Sequence, residues 1–262
     1  MAIDMSRLVT KLADAGLDLV HAFDANALGE LARVEARREE NDARSPDAPE
    51  ITTNRDGSQR MVLSRSSRPL ARWARLTTGP RLGLLVANTR ALWPHFVDTR
   101  RSPRGTNPLD TYVECSIEGA LREGSTSDST PASSNATIYL SHARYDGGFL
   151  PFQLLADRVG FASLTDAGLA IHPTFGPWFA LRAVIALEPP PAFAIPPPAP
   201  IAKPCVCTGA CEAALANARA DLRDWRAWLA VRDACSLREH RYSDEQIRFH
   251  YASAWPKAAR DQ

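Results

Sequence analysis

Residues 168–187 read GLAIHPTFGPWFALRAVIAL, which is two apolar runs separated by a short turn. Pro173, Gly176 and Pro177 interrupt regular structure there, because proline fixes φ and glycine admits positive φ. The run that follows, residues 179–187, has the length and composition of a buried strand. It is the clearest strand of the chain, and the fold is built outward from it.

This strand contains one charged residue, Arg182. Because side chains alternate between the faces of a strand, one face carries an apolar core stripe: Phe179, Leu181, Ala183, Ile185 and Leu187. The other face is small apart from Trp178 and Arg182. A buried, unpaired guanidinium costs on the order of several kcal/mol. Arg182 is therefore paired either with a local carboxylate at the strand end or with a carboxylate or phosphate of a ligand.

The composition is that of an ordinary globular protein, with 262 residues, 45% hydrophobic and 23% charged. The formal net charge of +1 produces no field that attracts nucleic acid. The amphipathic N-terminus does not resemble a signal peptide. No apolar run approaches the roughly 20 residues of a membrane span. We expect a soluble, cytoplasmic protein with neither a nucleic acid nor a membrane as partner.

Helix and strand patterns are mixed without regular βαβ alternation, and no GxGxxG or Walker loop occurs. This favours an α+β fold. Helices are predicted at 5–42 (with Asp24 as a cap), 88–96, 223–234 and 244–251, a short helix after Leu150, and strands at 81–87, 137–145 and 179–187. Residues 111–123 suit either type. Ser243 caps the last helix, and Gln246 stands where a capping box requires it.

Three segments do not follow these patterns. Residues 43–66 are predicted to be a mobile insertion, and residues 124–136 a low-complexity loop. Residues 188–204 are rich in proline, so they are predicted to cross the surface as extended chain.

Cys205, Cys207 and Cys211 form a C-x-C-x₃-C motif. Three thiolates can begin a zinc or iron–sulfur site, but four ligands are usual. The position where the spacing would repeat is Leu215, so a fourth ligand would have to be Cys235 or a histidine. The alternatives are a metal site, redox-active cysteines or plain thiols.

Other polar residues have both structural and functional interpretations. His172 is either a turn residue bonded to backbone or a catalytic base, whose partner the sequence does not identify. Trp225, Trp228 and Arg232 lie near one helical face by spacing, and Tyr242 follows. They are either core tryptophans with a snorkelling arginine or an aromatic, cationic wall for a planar or anionic ligand.

Two segments resemble the cobalamin-processing proteins of the cblC type (cyanocobalamin reductase and alkylcobalamin dealkylase). Residues 168–187 resemble that family's I-H-P-x-F-G-x-W-F-A-[IL]-R segment. Residues 223–246, RDWRAWLAVRDACSLREHRYSDEQ, resemble its R-D-W…R-D-A…R-Y-S-x-E-Q segment. Weaker similarities occur in GPRLGLLVANTRALWPHF, NPLDTYV and LPFQLLADRVG, so the resemblance covers residues 80–255.

The resemblance implies one domain over residues 1–262, with a flavin-reductase (nitroreductase-like) fold whose mixed or antiparallel sheet is flanked by helices. It implies cobalamin bound with its lower base detached and removal of its upper axial ligand. Reduced flavin (FMN or FAD) would drive decyanation, and glutathione thiolate would drive dealkylation. A downstream cobalamin-trafficking protein is an expected partner, with the chain as a monomer or a flavin-induced homodimer.

The resemblance also implies site residues. Those that would contact cobalamin are Leu150, Pro151, Phe152, Gln153, Ala170, Ile171 and Leu181. Those that would hold glutathione or line the upper face are Arg182, Trp225 or Trp228, Arg232, Tyr242 and Lys257, with Arg260 as an alternative to Lys257.

The chain departs from the family in several places. No tyrosine occurs in the short segment 161–169, where the family has a tyrosine-rich loop. Thr174 and Pro177 replace residues of the turn motif. The cysteine motif resembles a remnant or variant of a cluster motif in bacterial relatives. A non-catalytic cobalamin chaperone and an iron–sulfur-dependent cobalamin reductase are therefore the alternatives to a cobalamin reductase or dealkylase.

Overall fold

The computed structural model describes residues 3–29, 31, 82–99, 107–125, 136–145, 148–165, 168–188, 194, 210–221 and 224–252. In chain order the elements are α1 (Met5–Asp14), β1 (Leu19–Asp24), β2 (Leu82–Asn88), α2 (Leu92–Thr99), α3 (Pro108–Glu123), β3 (Thr137–Leu140), β4 (Arg144–Tyr145), β5 (Gly148–Phe149), α4 (Phe152–Arg158), β6 (Ser163–Leu164), β7 (Ala170–Ile171), β8 (Ala180–Leu187), α5 (Ala210–Ala220), α6 (Trp225–Asp233), α7 (Asp244–Ile247) and a π-helical turn (Arg248–Ala252).

The main sheet has four strands in the order β1-β2-β8-β3, and every described strand pair is antiparallel. β4 pairs with β5 and β6 with β7 as separate two-stranded ribbons. The predicted α+β class, with an antiparallel sheet flanked by helices, is confirmed. The predicted β8 is confirmed as a central strand with partners on both sides.

Apolar clusters cover both faces of the sheet. On one face lie α1, α2 and α3, which pack residues such as Leu12, Phe96 and Ile117 against the strands. On the other face lies α4, with Phe152 and Leu155. We call the second set, with its strand residues, the α4 cluster. The sheet is therefore a central layer, and positions on its two faces face different helices.

A β-bulge at Arg182 changes the predicted faces of β8. Val86 pairs with Ala183 and Ala87 pairs with Leu181, so Arg182 has no residue opposite it. Beyond the bulge the alternation resumes in the other phase. The predicted single core stripe is therefore wrong. Its members Ala183, Ile185 and Leu187 pack toward α1–α3, whereas Phe179 and Leu181 pack toward α4.

The first predicted helix is also interrupted. Residues 19–24, predicted as helical, form the edge strand β1, which pairs with β2 along its whole length. The backbone hydrogen bonds of this pairing come from a distant segment, so the periodicity of residues 19–24 does not reveal them. Asp24 nevertheless caps the helical residues that follow, since its Oδ1 accepts from the Asn26 amide at 2.9 Å.

Other elements resolve or refine the sequence interpretation. Residues 111–123, suited to either type, belong to helix α3, and the helix predicted from Asn88 begins at Leu92. The strand predicted at 137–145 is two strands, β3 and β4, joined by a turn. α4, α6 and α7 confirm the predicted helices that contain them.

The predicted insertion at 43–66, nearly all of the loop at 124–136 and most of the proline-rich segment at 188–204 lie outside the described residues. Among the helices that are described, none is long and apolar enough to cross a lipid bilayer.

Candidate functional site

Arg182 lies at the bulge of β8, and its side chain meets the end of β2. Its Nε donates to Asn88 Oδ1 across 2.6 Å, and Asn88 is fully buried. Bulges are frequent beside functional sites, where they redirect a side chain. Here the bulge places a guanidinium beside a buried amide at the end of the sheet.

Asn88 is held in place by its neighbours. Its Nδ2 donates to the Thr89 carbonyl at 2.7 Å. The Thr89 amide and hydroxyl both donate to the Asp18 carboxylate, at 2.8 and 2.6 Å. These bonds fix the strand end and leave the Asn88 amide oxygen to accept from Arg182.

No carboxylate in the described part of the chain forms a salt bridge with Arg182. Its Nη2 is buried and makes no hydrogen bond with any described residue. Burial lowers the pKa of the guanidinium, while Tyr242 and Asp110 act in the opposite direction. Pairing with a local carboxylate, one of the two sequence-based alternatives, is therefore not observed among these residues.

Tyr242 and His250, from the end of the chain, lie close enough to Arg182 for its charge to act on both. The Trp178 and Tyr242 rings lie 5.6 Å apart edge-on, and Tyr242 lies 5.7 Å from the His250 ring. Gln246 Nε2 lies 3.5 Å from His250 Nε2. Burial, followed by the charges of two nearby arginines that include Arg182, lowers the pKa of His250 to about 4. We call these five residues the buried polar cluster: Trp178, Arg182, Tyr242, Gln246 and His250.

Four polar atoms of this cluster lack a hydrogen bond of normal geometry, although the Tyr242 hydroxyl lies close enough to the Arg232 guanidinium to interact with it. Five buried side-chain polar atoms in the described residues have no partner of normal geometry, and one belongs to Ser125. The other four are Trp178 Nε1, Arg182 Nη2, Tyr242 OH and Gln246 Oε1. Native proteins contain few such atoms, so four in one cluster point to a polar ligand or ordered water.

Arg232, predicted to hold a ligand carboxylate, contacts the protein itself. Its Nη2 donates to the carbonyl oxygens of Pro177 and Phe179, and its Nη1 donates to the Tyr251 hydroxyl at 2.6 Å. Its guanidinium also lies over the Trp178 ring at 4.8 Å. Arg232 therefore joins α6 to the turn before β8.

The structure separates the two tryptophans of α6. Trp225 packs beside Trp178 and Tyr242 and stacks on Tyr251 at 6.0 Å. Trp228 packs in a different cluster with residues of α5, such as Leu215. The predicted single aromatic face is therefore divided, and Trp225 is the tryptophan on the side of the buried polar cluster.

Most residues predicted to contact cobalamin lie in or against the α4 cluster: Leu150, Phe152, Ala170 and Leu181. Ile171, which follows Ala170 in the sequence, is buried. Pro151 precedes the first turn of α4, and Gln153 is exposed. The structure thus gathers the predicted site residues into two groups. They meet along residues 178–182, where Phe179 and Leu181 belong to the α4 cluster and Trp178 and Arg182 to the buried polar cluster.

The turn before β8 is closed by backbone and side-chain contacts. His172 and Gly176 exchange both backbone hydrogen bonds, and His172 Nδ1 accepts from the amides of Thr174 and Phe175 at 3.1 and 3.3 Å. The interpretation of His172 as a turn residue bonded to backbone fits these contacts. Gly176 has φ +57, and a Cβ there would lie 2.7 Å from Leu237 Cβ.

Of the remaining predicted site residues, some lie in the described part of the chain and others do not. Cys205, Cys207, Lys257 and Arg260 lie outside the described residues. Cys211 is the second residue of α5 and packs against the same cluster as Trp228. Among described residues, no group of three or more potential metal ligands is present, which leaves the predicted cysteine site untested.

Known proteins share parts of this sequence and this fold. No family model matches the chain. A cyanocobalamin reductase / alkylcobalamin dealkylase of Bos taurus is 42% identical over 80 residues, which is 30% of this chain and 26% of that protein. The chain thus matches about a quarter of that relative's length. A crystal structure of a C. elegans B12-trafficking protein CblC, a homologue of human MMACHC, superposes with a TM-score of 0.50 at 16% identity, over 96% of this chain and 95% of that one.

The chain has the fold of CblC. The predicted resemblance to the cblC type is confirmed by these two similarities.

Three residues of the site, Asn88, Gln246 and His250, are not identified as site residues from the sequence. Asn88 follows an apolar run and is predicted as a helix start, and His250 lies inside an ordinary helical pattern. Gln246 is predicted as part of a capping box. Ser243 Oγ does accept from the Gln246 amide at 3.2 Å. The Gln246 side chain, however, points inward to His250, so only half of the predicted box forms.

Proposed function

We propose that the protein binds cobalamin with its lower base detached from cobalt and removes its upper axial ligand. Selecting that geometry would lower the barrier to reaction, because it favours the state that reacts. The sequence similarity to a cyanocobalamin reductase / alkylcobalamin dealkylase and the CblC fold both support this proposal.

The observation that carries the proposal is the contrast between neighbours on β8. Leu181 belongs with the apolar residues around α4, which suit the corrin ring. Arg182 has a buried Nη2 with no partner among the described residues, which suits an anionic co-substrate. A corrin and a thiol co-substrate would therefore adjoin at this strand.

For dealkylation, we propose that Arg182 holds a carboxylate of glutathione. Charge-assisted hydrogen bonds of this type contribute about 1.5–3 kcal/mol. A nearby guanidinium also favours the thiolate, which is the nucleophile. Arg232 is the weaker candidate for direct contact, because its donors already bond to Pro177, Phe179 and Tyr251. Tyr242 and Trp225 would line the same side, and we retain Lys257 as a predicted contact.

For decyanation, we propose a nitroreductase-like use of reduced FMN or FAD, which would supply electrons to cobalt. No set of described side chains is assigned to the flavin, so this route rests on the resemblance alone. The single domain over residues 1–262, the downstream trafficking partner and the monomeric or flavin-induced dimeric state likewise stay predictions.

The test is a spectral titration of aquo- and cyanocobalamin with the purified protein. We expect the shift that marks detachment of the lower base. Anaerobic incubation of methyl- and cyanocobalamin with reduced flavin or glutathione then determines which ligand is removed. Absence of any spectral shift at saturating protein would refute the proposal.

A non-catalytic cobalamin chaperone is the second candidate. The described residues on either side of positions 166–167 form a short ribbon between Ser163–Leu164 and Ala170–Ile171, next to which the Thr165 amide donates to the Leu169 carbonyl. This is compatible with a site that has lost lower-face contacts. Binding of cobalamin without conversion by reduced flavin or glutathione would favour the chaperone. Iron content and colour after anaerobic purification test the iron–sulfur alternative at Cys205, Cys207 and Cys211.

A further inference from the structure

A histidine and two carboxylates meet between the end of strand β3 and helix α3. His142 Nε2 lies 2.7 Å from Glu114 Oε1, and His142 Nδ1 lies 3.6 Å from Asp110 Oδ1. Asp110 and Glu114 are four residues apart on α3, so both project from one side of the helix. We call these three residues the His142 cluster.

The His142 cluster adjoins the part of β8 that contains Arg182. The amide of Ser141, the residue before His142, donates to the Arg182 carbonyl at 2.8 Å. The Asp110 carboxylate lies close enough to the Arg182 guanidinium for its charge to act on it. A thiol co-substrate held at Arg182 would therefore lie near this cluster.

The contacts of the His142 ring determine which nitrogen can accept a proton. A carboxylate only accepts hydrogen bonds, so the 2.7 Å contact with Glu114 places a proton on Nε2. In the neutral ring, Nδ1 then keeps its lone pair. The 3.6 Å distance from Nδ1 to Asp110 is longer than a hydrogen bond. Nδ1 is therefore available to a proton donor, since no described residue donates to it.

The surroundings of the ring suit a change of its charge. A proton on Nδ1 would make the ring a cation between two carboxylates, and nearby opposite charges favour that form. These carboxylates, both from α3, are the charged groups in contact with His142 among the described residues. The side chains of His142, Asp110 and Glu114 are 23%, 27% and 43% exposed, so a ligand can reach them.

We propose that His142 is the general base that removes the thiol proton in dealkylation, with Glu114 orienting its ring. The inference rests on the proposed function and deepens it. The thiol proton moves to His142 Nδ1, and the sulfur electron pair forms a bond to the upper alkyl group. The cobalt–carbon bond breaks with its electron pair left on cobalt, which goes from Co(III) to Co(I). His142 then releases its proton to solvent, and no further oxidant or reductant is consumed.

The first test compares glutathione-dependent demethylation of methylcobalamin by the full-length protein and by His142→Gln at several pH values. We expect kcat/KM for glutathione to fall about 100-fold near neutral pH, as for the loss of a general base. The loss should shrink as the pH approaches about 8.5, where a thiol ionises without help. A merely structural role would give the same loss at every pH. Decyanation by reduced flavin uses no thiol, so it should be unchanged.

The second test needs no cobalamin. A thiolate absorbs in the ultraviolet, so titration with glutathione near neutral pH should reveal bound thiolate on the unmodified protein and little on His142→Gln. S-methylglutathione, which has no thiol proton, is the control ligand. Its affinity, measured by calorimetry, should be the same for both proteins.

Two variants of α3 complete the comparison. Glu114→Gln should keep part of the rate, because its amide oxygen can still accept from His142 Nε2. Glu118→Gln, an exposed position one turn further along α3, is the matched control and should behave as the unmodified protein.

Equal thiolate signals on the unmodified protein and His142→Gln would overturn the inference. So would a rate loss that does not vary with pH, or the absence of bound thiolate from the unmodified protein. If the thiolate forms only when His142 is present but cobalamin shows no spectral shift, the inference holds and the proposed function fails. If His142→Gln demethylates cobalamin at the full rate, the proposed function holds and the inference fails.

Discussion

Asn88 and Arg182 are joined by a 2.6 Å hydrogen bond between residues 94 apart in the chain. The bond ties the end of β2 to the bulge of β8 and leaves one guanidinium nitrogen with no partner among the described residues. Asn88 is neutral, so it orients the arginine without cancelling its charge. A carboxylate at this position would pair with the cation and compete with any anionic ligand.

That difference predicts the effect of Asn88→Asp. The introduced carboxylate should form an ion pair with Arg182 and weaken binding of S-methylglutathione about tenfold or more, and it should also lower stability, because the Thr89 carbonyl loses its Nδ2 donor. Asn88→Leu should lower the free energy of unfolding by about 1–3 kcal/mol without adding a charge, because it leaves the buried guanidinium without its acceptor. Calorimetry and urea unfolding separate the two effects. Unchanged ligand affinity in Asn88→Asp would contradict the role given to Arg182.

Arg182→Gln should slow thiol-dependent dealkylation more than flavin-dependent decyanation, because only the thiol route needs an anion-binding group there. The expected loss in kcat/KM for glutathione is about 10- to 100-fold, as for a charge-assisted hydrogen bond. Both reactions are measured by the cobalamin spectrum under anaerobic conditions. Equal losses in the two reactions would rule out the glutathione role.

Gly176→Ala should destabilise the turn before β8 for two reasons. The residue has φ +57, and the added Cβ would meet Leu237 Cβ at 2.7 Å. Gly168→Ala is the matched control, because Gly168 has φ +75 but no atom of the described residues lies within 4 Å of the added Cβ. Backbone strain should cost about 1–2 kcal/mol at both positions. The clash should add about 1–3 kcal/mol at Gly176 alone. Equal urea midpoints for the two variants would show that the Leu237 side chain moves away from the added Cβ at no cost in stability.

Two partly buried histidines predict how stability depends on pH. Burial, followed by neighbouring positive groups, lowers the pKa of His172 and of His250 to about 4. Between about pH 6.5 and pH 4 the unfolded chain binds protons that the folded chain does not. The free energy of unfolding should therefore be highest above about pH 6.5 and fall as the pH is lowered toward 4.

Urea unfolding across this range measures the slope. His250 should contribute at most about 1.4 kcal/mol per pH unit, and His172 less, because it is more accessible to solvent. His250→Gln should flatten the curve. A slope that persists in the double variant His172→Gln/His250→Gln would assign the effect to other groups.

The tryptophans of α6 give a further matched pair. Trp225→Leu should alter thiol binding, since Trp225 packs with Tyr242 and Tyr251 beside the buried polar cluster. Trp228→Leu should lower stability without a specific effect on binding, because Trp228 packs against α5. Calorimetry and urea unfolding of both variants check this division. The reverse pattern would place the site on the other side of α6.

Local signals in the sequence were reliable where short-range physics determines the outcome. Ser243 and Asp24 cap helices as predicted, because the bonded groups are only two or three residues apart. The apolar run before Leu187 forms a buried strand, as its composition indicates. Predictions that needed a distant partner were less accurate. β1 was interpreted as helix, and Gln246 was assigned to the cap alone.

The α+β class, the strand β8, the turn that precedes it and the unusual position of Arg182 all follow from residue patterns within the chain. Where that arginine lies depends on tertiary pairing, because the bulge exists only in the pairing of β8 with β2. Strict alternation would have kept Leu181 on the face of Ala183, and the extra residue moved it to the α4 cluster. The same long-range packing brought Asn88, Gln246 and His250 to the site, since hydrogen bonds and burial between distant segments leave no periodic trace in a single chain.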